Sequence, residues 1–112
     1  SPMARGKLTR AWDESTNRTE SDEFGRYLYG MEESDRAVAD AVAAVAEGRG
    51  VPRAQVALAW VLRNPAVTSP IIGATKPHHI DDAVAAVELE LTDDEVKALE
   101  DPYVPHPIVG FA

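Results

Sequence analysis

The stretch Val67-Thr68-Ser69-Pro70-Ile71-Ile72 is the one run in the chain that reads as a core strand, being short, β-branched and ended by Gly73. The other apolar patterns follow helical spacing. A lone strand makes no sheet, because its backbone N–H and C=O groups need a ladder partner. The partners must come from another chain or from a segment outside this sequence.

The helices are read from periodicity and punctuation. Ser34 is a candidate N-cap with Asp35 in the first turn, and Val38, Ala41, Val42 and Val45 then fall on one stripe. Gly48 and Gly50 end that helix. Pro52 opens a second, in which Val56, Ala59 and Trp60 form a stripe that Leu58, Val61 and Leu62 widen almost all round. Such a helix expects burial on more than one side, and Trp60 is read as core rather than as a stacking platform. Asn64-Pro65 stops it. Pro77 to about Val87 predicts a third helix with Ile80, Ala83, Val84 and Val87 inward. Thr92-Asp93-Asp94-Glu95 is a capping box for a short fourth helix carrying Val96 and Leu99. Pro102, Pro105 and Pro107 keep the tail irregular.

The strand runs straight into the third helix through Gly73-Ala74-Thr75-Lys76-Pro77. Pro77 suits a first helical turn, where its missing N–H costs nothing. Gly73 allows close backbone approach, and the orphan N–H groups and dipole of a helix start favour negative charge. Thr75 and Lys76 add a hydroxyl and a cation, so a phosphate is the natural guest. Spacing alone favours a plain strand-to-helix turn, since such turns are common in α/β proteins. His78 and Asp82 share one helix face four residues apart, but two ligands are too few for a closed metal site.

The chain has 112 residues, a formal charge of −8 and no cysteine. Its 11 basic residues are dispersed among 19 acidic ones, which argues against nucleic acid or an anionic membrane as partner. Thiol catalysis and disulfides are excluded, which fits a cytoplasmic location. No apolar run approaches the ~20 residues that span a bilayer, and no signal-peptide core is present, so a soluble, unexported chain is expected. Residues 11–33 are acidic with few apolar anchors, only Phe24, Tyr27, Leu28, Tyr29 and Met31 clustering late, and read as a long surface loop that is mobile without a ligand.

Taken together, Ser1-Pro2-Met3-Ala4-Arg5-Gly6-Lys7-Leu8-Thr9, Gln55-Val56-Ala57-Leu58-Ala59-Trp60-Val61-Leu62 and Pro70-Ile71-Ile72-Gly73-Ala74-Thr75, on to the tail Asp101 to Pro107, resemble the C-terminal part of the aldo-keto reductase family. The resemblance covers all 112 residues. It implies an α/β fold, the C-terminal fragment of an eight-stranded β/α (TIM) barrel, mostly helical with one strand when taken alone. Such a barrel typically needs about 250 residues. The implied layout is a cofactor-side loop over 1–33, two helices over 34–64, the strand at 67–72, two helices over 77–100 and a tail over 101–112.

The resemblance further implies reduction of aldehydes or ketones by hydride transfer from NADPH, with NADH as the alternative cofactor. The family's tyrosine, lysine, aspartate and histidine of catalysis lie upstream of the matched region, so this chain alone is expected to be inactive. What carries over is cofactor binding. Ser1, Met3, Ala4, Gly6 and Lys7 fall in the loop near the pyrophosphate, with Met3 where leucine is more usual. Gly73, Ala74, Thr75 and Lys76 fall at the adenosine 2′-phosphate, in line with the phosphate sites of barrel loops. His79 stands where many members have arginine or glutamine, and Asp82 where an acidic residue often meets the adenine. A histidine is neither permanently charged nor bidentate, which weakens the expectation of NADPH over NADH. The expected partners are the nicotinamide cofactor and either the missing N-terminal part of the barrel or another copy of the chain. The rival reading is a non-catalytic truncated product that acts as a self-associating helical interaction module.

Overall fold

The computed structural model describes residues 2–10 and 33–105. Ser1, the greater part of the expected 11–33 loop and the tail from residue 106 lie outside the described residues. Among the described residues there are four α-helices: α1 Glu33–Arg49, α2 Arg53–Leu62, α3 Pro77–Glu88 and α4 Asp93–Glu100. A short 3-10 turn, Ala4–Gly6, precedes them.

Local chemistry sets the helix ends. At the end of α1, Gly50 takes a φ of 66°. Its N–H donates to Glu47 O at 3.2 Å, and Val51 N–H reaches back to Ala46 O at 3.1 Å. This is the pair of bonds that a left-handed residue permits after a helix. Gly48 remains inside α1. At the start of α4 both halves of the capping box form: Glu95 N–H donates to Thr92 Oγ1 at 3.2 Å, and Thr92 N–H donates to Glu95 Oε1 at 2.8 Å. Thr92→Ala is expected to cost about 1 kcal/mol of stability by leaving the Glu95 amide without its cap, to be read from a urea unfolding midpoint.

The core gathers Val42, Val45, Ala46, Val56 and Leu99, with Leu8, Val51, Leu89 and Leu91 packed against it. Val56, Ala57, Leu58 and Ala59 are buried in succession. At ~100° per residue these four positions sweep most of the helix circumference, so α2 is enclosed on more than one side as its composition predicts.

Arg49 joins the ends of α1 and α4. Its Nε donates to Glu95 Oε2 at 2.7 Å and its Nη2 to Oε1 at 2.6 Å, a bidentate pair, and Nη2 also reaches Glu90 O. The Arg49 guanidinium, with the Thr92 N–H, lowers the Glu95 carboxyl from 4.5 to about 2. A carboxylate depressed in the folded state adds stability above its unfolded pKa and loses it as pH falls from there toward the folded value. The melting-temperature advantage of the wild type over Glu95→Gln is therefore expected to be full at pH 6 and to shrink between pH 4.5 and about 2. The pair is solvent-accessible, so the advantage is small.

Three expectations are corrected. Residues 67–72 form no strand, and no ladder exists among the described residues. The physical reason is the one the sequence already contains, that a single strand lacks neighbours, and Ile71 is left 88% exposed. The α3 stripe does not point inward: Ile80, Val84 and Val87 are 51%, 65% and 71% exposed, while the buried contact is made by Ala86. Small residues let α3 approach α2, its principal neighbour, and the larger side chains are turned away from that contact. Trp60 is not core. It is 42% exposed, and its Nε1 donates to Glu100 Oε1 at 3.0 Å. An indole with an N–H to satisfy sits at the edge of an apolar site where a carboxylate is in reach.

Candidate functional site

The glycine segment lies at the start of α3. Lys76 is the N-cap residue, with extended backbone (φ −138°, ψ 150°), and Pro77 follows as the first helical residue. No side chain caps this helix start. Gly73, Ala74, Thr75 and Lys76 are all exposed, and the space around Gly73 is open. One amide of the segment is engaged: Thr75 N–H donates to His79 Nδ1 at 3.1 Å. In the neutral ring that geometry puts the proton on Nε2. The His78 and His79 rings meet edge to face with centroids 4.5 Å apart. His79 thus ties the loop to the helix one turn on, a role its residue type alone did not reveal.

Asp82 lies half-buried on α3, and its Oδ1 accepts a hydrogen bond of 3.1 Å from Gln55 Nε2 on α2. Gln55 was not singled out by spacing or composition. The only signal available in the sequence was a polar residue between apolar neighbours in the first turn of α2.

The N-terminal group of candidate residues is a tight turn. Ala4, Arg5 and Gly6 all have positive φ, at 49°, 55° and 97°. Gly6 N–H and Leu8 N–H donate to Met3 O at 3.0 and 3.4 Å, and Lys7 N–H donates to Ala4 O at 3.2 Å. Two non-glycine residues in the left-handed region cost roughly 1–2 kcal/mol each, and backbone strain of this kind concentrates at functional loops. A Cβ at Gly6 would meet the movable Arg10 guanidinium, and φ at +97° strains any L side chain there. Gly6→Ala is expected to destabilise the turn by about 1 kcal/mol, visible as a lowered melting temperature.

An apolar cavity of about 630 Å³ lies beside the N-terminal turn, lined by Pro2, Leu8, Val38, Trp60, Leu99 and Tyr103, and none of the described candidate residues lines it. Thr75 and Lys76 stand in solvent at the α3 start. Ser1 lies outside the described residues. Among the described residues no group of three or more His, Cys, Asp or Glu is placed to hold a metal ion. No helix among them is long and apolar enough to cross a membrane.

Comparison with known proteins bears on this arrangement. The sequence model described as the aldo/keto reductase family matches residues 1–103. The chain is 40% identical over 111 residues to versiconal hemiacetal acetate reductase of Aspergillus parasiticus, covering 96% of the chain and 32% of that protein. It is 38% identical over 111 residues to aldo-keto reductase AMT2 of Alternaria alternata, covering 99% of the chain and 30% of that protein. It is 40% identical over 91 residues to norsolorinic acid reductase B of Aspergillus parasiticus, covering 77% of the chain and 24% of that protein. The chain thus spans a third or less of the length of these relatives. A match of this extent, over nearly all of the sequence and at such identity, leaves one assignment: the chain belongs to the aldo/keto reductase family.

Proposed function

We propose that this chain is the NAD(P)H-binding C-terminal part of an aldo-keto reductase that reduces aldehydes or ketones by hydride transfer, with the acid/base residues of catalysis supplied from outside this sequence. The observation that carries the reading is the exposed Gly73–Lys76 segment entering α3 without a side-chain cap, with a lysine at the N-cap. A helix start of this kind attracts anionic oxygen through its dipole and amides, and Lys76 adds a full charge. NADPH fits the residues present: Thr75 and Lys76 would hold the 2′-phosphate, Asp82 would face the adenine, and the strained turn at Ala4–Gly6 would approach the pyrophosphate. The bound nicotinamide supplies the hydride. The His79 tie to the Thr75 amide would be exchanged for a phosphate oxygen on binding.

The exposed face of α3 formed by Ile80, Val84 and Val87 belongs, on this reading, against the rest of the barrel, as does the exposed Ile71. Large contiguous apolar faces are unusual on isolated monomers. The 112-residue chain by itself is therefore expected to self-associate through that face. Sedimentation should show oligomers at micromolar concentration, and Val84→Lys should reduce them; a compact monomer would contradict the assignment. The direct test of function is NADPH consumption with an aldehyde. The full-length protein should consume it, and the isolated 112-residue chain should not. Absence of turnover by the full-length protein with any of a panel of aldehydes and ketones, together with no NADPH binding, would overturn the reading.

A further inference from the structure

Gln55 and Asp82 are 27 residues apart in sequence and meet across the α2–α3 contact. Gln55 sits in the first turn of α2, where its own backbone N–H donates to Pro52 O at 3.1 Å. Its side-chain amide is thereby launched from a fixed point. Both partners are half-buried, so the 3.1 Å bond from Nε2 to Oδ1 is partly shielded from water. A carboxylate accepts through two oxygens, and here one of them is committed. The committed oxygen limits rotation of the carboxylate about its own bond and leaves Oδ2 as an acceptor of defined direction. An acceptor held in place is complementary to a donor and repels another acceptor at the same point.

We infer that Gln55 is a positioning residue: it fixes Asp82 as the acceptor for the exocyclic amine of an adenine nucleotide and so sets the base selectivity of the cofactor site. The inference rests on the reading of Asp82 as the adenine-facing residue and adds to it a residue that touches no cofactor atom. Selectivity follows because hypoxanthine carries a keto oxygen where adenine carries an amine. A site built around a hydrogen bond discriminates against an analogue that cannot form it. The carboxylate would then face a carbonyl oxygen.

The experiment uses the full-length protein and two ligands, NADPH and its hypoxanthine counterpart, with dissociation constants for both measured on each preparation. Their ratio is independent of the fraction of protein folded, so a partly destabilised variant still reports. The wild type is expected to prefer the adenine form by about tenfold, the value of one charge-assisted hydrogen bond. Asp82→Ala should bring the ratio near unity. Gln55→Met, which keeps the length of the side chain and removes its donor, should lower the ratio severalfold, and Gln55→Glu, which turns the donor into an acceptor, should do the same. The preference of NADPH over NADH, set at the far end of the adenosine, should be unchanged in both Gln55 variants. A loss of base preference in Asp82→Ala with full retention in both Gln55 variants would overturn the positioning role and leave the cofactor reading intact. Equal binding of the two dinucleotides by the wild type would overturn it as well. Failure of the wild type to bind either dinucleotide would remove the cofactor reading itself, and this inference with it.

Discussion

Replacing Lys76 by alanine in the full-length protein is expected to weaken NADPH binding about ten- to a hundredfold while leaving NADH binding nearly unchanged. A charge-assisted contact to phosphate is worth roughly 1.5–3 kcal/mol, and tenfold in affinity is about 1.4 kcal/mol. Only NADPH carries the 2′-phosphate, so the effect should appear in the ratio of the two dissociation constants. Lys76 is exposed and occupies the N-cap of α3, where its extended backbone turns the chain into the helix. His79→Arg should move the same ratio toward NADPH. Arginine offers a permanent, planar set of donors, and it has no acceptor for the Thr75 N–H now donated to His79 Nδ1 at 3.1 Å. The amide would be released to the ligand. Titrations of both variants with both cofactors check the pair together. An unchanged NADPH to NADH ratio in each would return the Gly73–Lys76 segment to being a turn.

Leu99→Ala is expected to be the most destabilising of the substitutions considered, costing about 2–3 kcal/mol. Leu99 lies in the core with Val42, Val45, Ala46 and Val56, and it holds α4 against α1 and α2. Truncation of a buried leucine removes the transfer energy of its methyl groups and leaves a void, and the measured range for such changes is roughly 2–5 kcal/mol. The lower part of that range applies because Leu99 already borders the cavity of about 630 Å³, so part of its surface has no packed neighbour to lose. A urea unfolding midpoint lowered with an unchanged slope is the expected readout. Val84→Ala provides the contrast. In the isolated chain, diluted until it is monomeric, it removes an exposed side chain and should change stability by less than about 0.5 kcal/mol. In the full-length protein it should cost about 1 kcal/mol or more, because the proposed barrel covers that face.

How much of this was legible beforehand depended on the range of the interaction. The capping box at Thr92 and Glu95 is written in four consecutive residues, and the structure forms both of its bonds. Gly50 at positive φ and Pro77 as the first residue of α3 are likewise local, since backbone freedom at glycine and the missing amide of proline do not wait for a partner. The family assignment was legible for a different reason. Three separated runs had to match together, and the match over residues 1–103 agrees with them.

The rest required the chain to be folded. The same periodicity that located α3 pointed to Ile80, Val84 and Val87 as its inward face, but a stripe states only which side is apolar and not which neighbour is present to cover it. In the structure the alanine side meets α2, and the larger residues are exposed. Residues 67–72 have strand composition, yet strand structure is a property of pairs of segments, and no pair exists among the described residues. The Arg49 link to Glu95 spans 46 residues and the Gln55 link to Asp82 spans 27. Neither distance is encoded in any local spacing. The sequence by itself determined the end of α1 at Gly50 and the starts of α3 at Pro77 and α4 at Thr92, because capping and backbone preference act within a turn, whereas Ser34, read as an N-cap, lies inside α1. The tertiary structure alone decided which faces are buried and which polar side chains meet, because those outcomes depend on the partner that packing brings within reach.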